Sequence, residues 1–133
     1  MSSLNIEVVR RAMRAFNRRD LDALISDSDP DVVIDWSRSA GLEAGVYLGR
    51  VPAARFLSTF HDVFERISSE PQALIENGDS VLVPTNTRLW GRDGVEVHTR
   101  HVALVTLREG RIVLWRLYLD RDEALDDFGL GGR

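Results

Sequence analysis

The stretch that decides the fold is SVLVPTNTRLWGRDGVEVHTRHVALVTLREGRIVLWRLYL, residues 80–119. Apolar and polar residues alternate along much of it, and two glycine-containing turn signals interrupt the alternation. This pattern predicts three antiparallel strands, Ser80–Trp90, Val95–Arg108 and Arg111–Leu119. We expect the segments that precede the stretch to cover one face of the resulting sheet.

The loop between the second and third strands decides which side chains face the core, because successive side chains lie on opposite faces of a strand. A two-residue Glu109-Gly110 loop requires a positive φ at Glu109, whereas a three-residue loop that begins at Arg108 places only Gly110 in the left-handed region. We predict the three-residue loop, in which Leu107 pairs with Arg111. The odd-numbered residues of both strands then share an inner face, which includes His101, Ala103, Val105, Trp115 and Leu117.

The even-numbered residues of these strands form a mixed outer face of polar and apolar side chains. Under the two-residue loop, the third strand would instead turn its own even-numbered residues, Arg116, Tyr118 and Asp120, toward His101. The alternative site in that register consists of Arg100, Arg116, Tyr118 and Asp120.

The composition is typical of one globular domain, with 133 residues, 44% hydrophobic residues and a net charge of −4. We predict a single domain over residues 1–133, with a core over 5–126 and a flexible tail over 127–133. A membrane-spanning helix needs about 20 consecutive apolar residues, and no apolar run in the sequence approaches that length. The amino terminus lacks the basic and apolar regions of a secretory signal. We therefore expect a cytoplasmic protein with neither a membrane nor a nucleic acid as its partner.

Missing residue types exclude several kinds of chemistry. The chain has no cysteine and all 17 basic residues are arginine, so a thiol nucleophile, a disulfide and a lysine Schiff base are excluded. Dinucleotide-binding, phosphate-loop and zinc-protease motifs are absent from the sequence. We expect no cofactor and no metal site.

Helical spacing of apolar residues predicts the elements before the sheet. The first helix runs from Ser3 or Asn5 to about Arg19, with Met13 and Phe16 on its apolar stripe. Asp20 caps a short second helix, and a strand that ends at Trp36 follows it. In that strand Val32, Ile34 and Trp36 point inward, and Asp35 points outward.

A third helix is predicted from about Pro52 to Ile67, with the aromatic stripe Phe56, Phe60 and Phe64. His61 lies at the margin of this stripe, and we expect it to be exposed. A strand over Gln72–Asn77 precedes the long sheet, and a short helix that Asp120 caps follows it.

Three segments carry a resemblance to a known family: FNRRDLDAL (16–24), YLGR (47–50) and TLREGRIV (106–113). With the order of elements, they resemble the SnoaL-like branch of the nuclear transport factor 2-like superfamily over residues 5 to about 126. The resemblance implies an α+β fold, a cone-shaped curved mixed sheet wrapped around three N-terminal helices, with a short C-terminal helix. It also implies an apolar pocket and a homodimer through the outer face, where Leu104, Leu114, Tyr118, Arg116 and Pro84 lie.

The same resemblance leaves the activity open, because this fold hosts isomerases, dehydratases, cyclases, epoxide hydrolases and binding proteins. The positions of the ketosteroid isomerase catalytic groups hold Ala12, Trp36 and Ala103, and the second long strand has no aspartate for epoxide hydrolysis. Neither of these two reactions is expected.

The remaining interior titratable group of the long strands is His101, which could serve as a general acid or base with Thr85 or Thr87 orienting it. A structural histidine that fixes the sheet is the alternative. The predicted ligand is a small apolar, ring-containing molecule, and the alternative function is a non-catalytic binding or structural dimer. The predicted pocket residues are Met13, Phe16, Trp36, Tyr47, Phe56, Phe60, Phe64, Thr85, Thr87, Ala103, Val105, Trp115 and Leu117.

Overall fold

A computed structural model describes residues 3–39 and 44–129, which form four α-helices and seven β-strands. The helices are α1 (Leu4–Asn17), α2 (Leu21–Ser26), α3 (Arg50–Val63) and α4 (Arg121–Phe128). The strands are β1 (Ser28–Asp35), β2 (Val46–Leu48), β3 (Phe64–Pro71), β4 (Ile75–Asn77), β5 (Ser80–Gly91), β6 (Glu96–Arg108) and β7 (Arg111–Tyr118). None of the helices in these described ranges is long and apolar enough to cross a membrane.

The seven strands form one curved, unclosed sheet in the order β2-β1-β7-β6-β5-β3, and β4 pairs with the first residues of β5. The sheet is mixed, because β1 runs parallel to β7 while the other neighbours are antiparallel. Helices α1, α2 and α3 pack on its inner face. The predicted α+β fold is therefore confirmed.

Local capping explains where the first two helices begin. The Ser3 hydroxyl accepts a hydrogen bond from the Ile6 N–H (3.1 Å), and the Asp20 carboxylate accepts one from the Ala23 N–H (3.1 Å). The apolar stripe of α1 then meets the sheet, where Val9 and Ala12 are fully buried. Burial of a side chain such as Val9 stabilises the fold by about 1.5–3 kcal/mol.

The hairpin between β6 and β7 corrects the predicted loop. Arg108 pairs with Arg111, so the loop consists of Glu109 and Gly110 alone. Both loop residues have positive φ, 53° at Glu109 and 76° at Gly110. This is the two-residue geometry whose twist matches that of the flanking strands, and here that match outweighs the cost of a left-handed glutamate.

A β-bulge next to this loop restores the predicted faces. Thr106 pairs with Leu114 while Leu107 pairs with Ile112, so Val113 is an extra residue in β7. The extra residue shifts the alternation by one, and Val105 then pairs with Trp115. The inner face is the predicted odd-numbered one from Trp115 onward, but near the hairpin the buried residue is Ile112.

The junction between α3 and β3 corrects a second prediction. The helix ends at Val63 rather than Ile67, and Phe64 begins a strand with no intervening loop. The Arg19 guanidinium donates hydrogen bonds to the carbonyl oxygens of His61, Phe64 and Glu65, which satisfies carbonyls that the helix end leaves unpaired. The predicted strand over 72–77 is shorter in the structure, where β4 covers only Ile75–Asn77. Residues 64–71 form a separate strand, β3, which pairs with β5.

Helix α4 covers part of the outer sheet face. Its Ala124 and Phe128 pack with Leu104 and Tyr118, which are only 4% and 0% exposed. The prediction that Leu104 and Tyr118 contact a second copy of the chain is therefore wrong, since their own chain already buries them. Phe128 is buried within α4, and residues 130–133 of the predicted tail lie outside the described ranges.

Candidate functional site

A cavity of about 460 Å³ lies between the inner sheet face and the helices. The structure places most of the residues that the sequence proposed for a pocket around it. These are Met13, Phe16, Trp36, Phe56, Phe60, Phe64, Thr85, Thr87, Ala103, Trp115 and Leu117, together with His101.

Two of the proposed pocket residues lie elsewhere. Val105 is fully buried in the core and does not line the cavity. Tyr47, on β2, stacks on the outer side of the cavity wall, with its ring 4.5 Å from that of Phe56. The position of Tyr47 is that of an anchor for the aromatic wall.

The aromatic side of the cavity is a connected set of rings. Trp36 lies 5.6 Å from Phe56, Phe56 lies 6.1 Å from Phe60, and Phe60 lies 5.4 Å from Phe64, measured between ring centroids. These tilted pairs are of the kind that stabilises aromatic clusters beyond the area they bury. The wall is thus preformed and apolar.

The opposite wall carries hydroxyl groups on the sheet. Thr87 lies between Ser69 of β3 and Thr99 of β6, and Thr85 pairs with His101. Sequence reasoning missed Ser69 because residues 68–71 were assigned neither to the third helix nor to the strand after it. It placed Thr99 on the inner face with His101 but did not include it among the pocket residues. The alternation of the β6 strand contained the signal for Thr99.

His101 lies within this cavity with its ring 6.2 Å from that of Trp36, in an edge-on arrangement. Burial lowers the pKa of His101 to about 4, because the apolar surroundings disfavour the charged imidazolium. The imidazole is therefore neutral at pH 7, with one ring nitrogen as a donor and the other as an acceptor. Within the described ranges, its side chain has no hydrogen-bond partner.

The residues of the alternative site lie mostly outside the cavity. Arg116 and Tyr118 lie on the outer face, Asp120 caps α4, and only Arg100 reaches the cavity rim, where it is exposed. The bulge also pairs Tyr118 with Val102 rather than with Arg100. The alternative constellation is thus not assembled into one site.

An ion-pair network on the outer face holds Arg116 instead. The Arg116 guanidinium donates to Asp35 (2.9 Å), and Arg38 reaches both Asp35 (3.4 Å) and Glu123 of α4 (3.1 Å). Burial alone would raise the pKa of the Asp35 carboxyl, but hydrogen bonds from Ser37 and Arg116 bring it below its ordinary value. The network fastens α4 to the segment after β1.

His61 is the second histidine that the structure relocates. The sequence predicted an exposed ring, but the side chain is 4% exposed and its ring centroid lies 4.6 Å from that of Phe16. Neither ring nitrogen finds a hydrogen-bond partner among the described residues. Burial and the nearby Arg19 charge lower the pKa of His61, so the ring is a buried neutral group at pH 7.

We expect His61→Phe to raise the free energy of unfolding by about 1 kcal/mol, because phenylalanine removes two buried unpaired nitrogens and keeps a ring of similar shape. Urea denaturation at pH 7 measures this change. The matched control is His98→Phe on the exposed outer face, where we expect no gain. A loss of stability in His61→Phe would show that the imidazole nitrogens contribute bonds in solution.

Charge and metal ligands are scarce around the cavity. Arg100 is the one charged side chain among its described lining residues, and no aspartate or glutamate lines it there. Across residues 3–39 and 44–129, no group of three or more histidine, aspartate or glutamate side chains is arranged to hold a metal ion.

Comparison with known proteins bears on this geometry. A family model described as SnoaL-like domain matches residues 9–115. A search of curated proteins finds no match.

Several solved structures are similar to the whole chain. One is TerC co-crystallised with polyporic acid, at 24% identity and a TM-score of 0.79, covering 95% of this chain and 98% of that one. A second is an NTF2-like protein of unknown function from Burkholderia pseudomallei, at 23% identity and a TM-score of 0.80, covering 96% and 99%. A third is a Mycobacterium tuberculosis protein in complex with estradiol-17β-hemisuccinate, at 17% identity and a TM-score of 0.79, covering 91% and 97%. At these identities the likeness shows the shared fold.

Proposed function

The chain belongs to the family of SnoaL-like domains, as its sequence predicted, and on this premise we propose that it binds a small apolar, ring-containing molecule in the cavity between helices and sheet. The observation that carries the proposal is the lining, in which connected aromatic rings face a wall of hydroxyl groups and one neutral histidine. The cavity volume of about 460 Å³ lies within the usual range for small-molecule sites, which is about 300–1,000 Å³.

Two of the similar structures also support a ligand that contains rings. TerC was crystallised with polyporic acid and the Mycobacterium tuberculosis protein with estradiol-17β-hemisuccinate. Both ligands carry apolar rings, and the uncharged ring part of such a molecule would match the aromatic wall of this cavity.

We expect 2-naphthol to bind the purified protein saturably, because its fused rings can lie against the aromatic wall while its hydroxyl reaches the sheet. Isothermal titration calorimetry measures the affinity, and native mass spectrometry of the same sample gives the stoichiometry. Trp36→Ala removes one of the wall rings and should weaken binding. Trp90→Ala is the control, because Trp90 lies outside the cavity, beneath the Arg66 guanidinium. Absence of saturable binding of 2-naphthol, estradiol and polyporic acid up to about 1 mM would contradict the proposal.

Acid–base catalysis of the isomerase, dehydratase or cyclase type is the second candidate function. The observation that favours it is a neutral imidazole, His101, inside an apolar cavity with no hydrogen-bond partner in the described ranges. A pKa of about 4 makes this imidazole a weak base, which favours binding over catalysis. Any turnover found on a bound ring compound should vanish in His101→Gln with the fold retained.

The proposal extends to a homodimer through the part of the outer face that α4 leaves uncovered. That part carries Arg88, His98 and Arg100, whereas α4 presents carboxylates at Asp122 and Asp126. A two-fold arrangement would bring these opposite charges together across the interface. Sedimentation equilibrium at low and high salt tests it, and a monomer under both conditions would refute it.

A further inference from the structure

The hydroxyl wall of the cavity is ordered into rows by the strand register. One row runs across the sheet from Ser69 through Thr87 to Thr99. The next row, two residues along, consists of Thr85 and His101. All five side chains line the cavity, so a ligand lying on this wall meets a grid of polar groups.

Three of these groups already have partners. The Thr85 hydroxyl donates to the Val83 carbonyl oxygen (2.9 Å), and the hydroxyls of Ser69 and Thr87 share a hydrogen bond of 3.0 Å. The side chains of Thr99 and His101 make no hydrogen bond within residues 3–39 and 44–129. Thr99 and His101 are therefore the two of these five side chains that have no hydrogen-bond partner in the described ranges.

These two residues have a fixed spacing. They are two positions apart on the same face of β6, which places their Cα atoms about 6.7 Å apart. Each offers both a donor and an acceptor, since the threonine hydroxyl does so inherently and the histidine does so when it is neutral. Burial keeps His101 neutral at pH 7 by lowering its pKa.

The charge of the ligand is also restricted. A cation in the cavity would find no carboxylate among the described lining residues, and the one lining cation, Arg100, lies at the exposed rim. A buried charge without a partner is strongly unfavourable, so the interior favours an uncharged molecule.

We propose that the cavity selects uncharged ring compounds with two oxygen atoms at opposite ends of one edge, which Thr99 and His101 bind while the rings lie against the aromatic wall. This inference rests on the proposed function and adds its specificity-determining pair. It predicts that the position of the oxygen atoms decides affinity more than their number.

The test compares three probes by calorimetry at pH 7. The probes are 2-naphthol, 2,7-dihydroxynaphthalene with hydroxyls at both ends of one edge, and 2,3-dihydroxynaphthalene with adjacent hydroxyls. We expect the 2,7-isomer to bind about three- to tenfold more tightly than the other two, which is the net gain of one further neutral hydrogen bond. The two diols have the same composition, so hydrophobicity is controlled.

Variants assign that preference to the two residues. Thr99→Val and His101→Phe should each remove most of the advantage of the 2,7-isomer. The controls are Thr106→Val, whose hydroxyl lies 3.3 Å from that of Ser80 and outside the cavity, and His98→Phe, whose side chain is exposed. Both controls should keep the preference.

The outcomes separate the two proposals. Equal affinity for the two diols, or a preference that survives Thr99→Val and His101→Phe, would overturn this inference and leave the proposed binding function standing. If none of the three probes binds, the proposed function fails and this inference fails with it.

Discussion

Ala103→Leu will lower the affinity for 2-naphthol about tenfold or more while the free energy of unfolding stays within about 1 kcal/mol of the wild type. Ala103 is 1% exposed and its side chain lines the cavity. The three added carbon atoms can enter empty space, so they occupy the volume that the ligand needs without displacing packed atoms. Calorimetry gives the affinity and urea denaturation gives the stability.

The matched control for this experiment is Ala124→Leu. Ala124 is also fully buried, but it lies on the side of α4 that packs against the outer sheet face and does not line the cavity. The same added carbons must push aside packed atoms there, which costs about 1–3 kcal/mol, and binding should be unchanged. If Ala103→Leu were the less stable variant, or kept full affinity, the cavity would not be available to a ligand.

The free energy of unfolding of the wild type will fall more steeply between pH 6.5 and pH 4 than that of His101→Gln. In this window the unfolded chain binds a proton at this histidine, whose ordinary pKa is 6.5, whereas the folded chain does so only near its pKa of about 4. The contribution of His101 to the free energy of unfolding therefore rises with pH across the window and is constant above it. The wild type should lose about 3 kcal/mol more than the variant by pH 4.

Urea denaturation at a series of pH values from 4 to 8 measures this difference. Carboxylates and His61 titrate in both proteins, so their contributions cancel in the comparison. The control is His98→Gln, the same exchange at an exposed position outside the cavity. Parallel curves for the wild type and His101→Gln would mean that His101 is hydrated in the folded protein.

Local and periodic signals were sufficient to predict much of this fold. The Asp20 cap and the apolar stripe of α1 are properties of neighbouring residues, and the structure has both as predicted. Of the two predicted starts of α1, Ser3 or Asn5, the structure has Ser3 as the cap. The inward direction of Trp36 follows from the alternation of Val32 and Ile34. The segments that carry the family resemblance supplied the overall arrangement.

Features that depend on distant contacts were not predictable in the same way. The end of α3 depends on Arg19 reaching carbonyl groups more than forty positions away, and helical spacing continues through Phe64 and Ile67 regardless. The burial of His61 depends on Phe16 of another helix. A periodic pattern assigns His61 to the margin of the stripe, whereas tertiary packing decides its exposure.

The sheet face that lines the cavity was predicted better than the individual residues that form the site. Alternation along β6 and β7 placed His101, Ala103, Trp115 and Leu117 on one side, and the structure brings these four around the cavity. Thr99 and Ser69 complete the polar wall, but their importance depends on cross-strand pairing and on which hydroxyls are already bonded. Which hydroxyls are already bonded is not visible in a single sequence.

The bulge at Val113 has a consequence for insertions and deletions in this hairpin. Loss of that residue alone would leave Leu107 opposite Ile112 and Thr106 opposite Leu114, so Trp115 and Leu117 would stay in the interior. An unbroken ladder that kept Val113 would instead carry Arg116 and Tyr118 inward and expel Trp115. Removal of one residue from this part of β7 should therefore be tolerated, whereas a hairpin of the present length must keep its bulge.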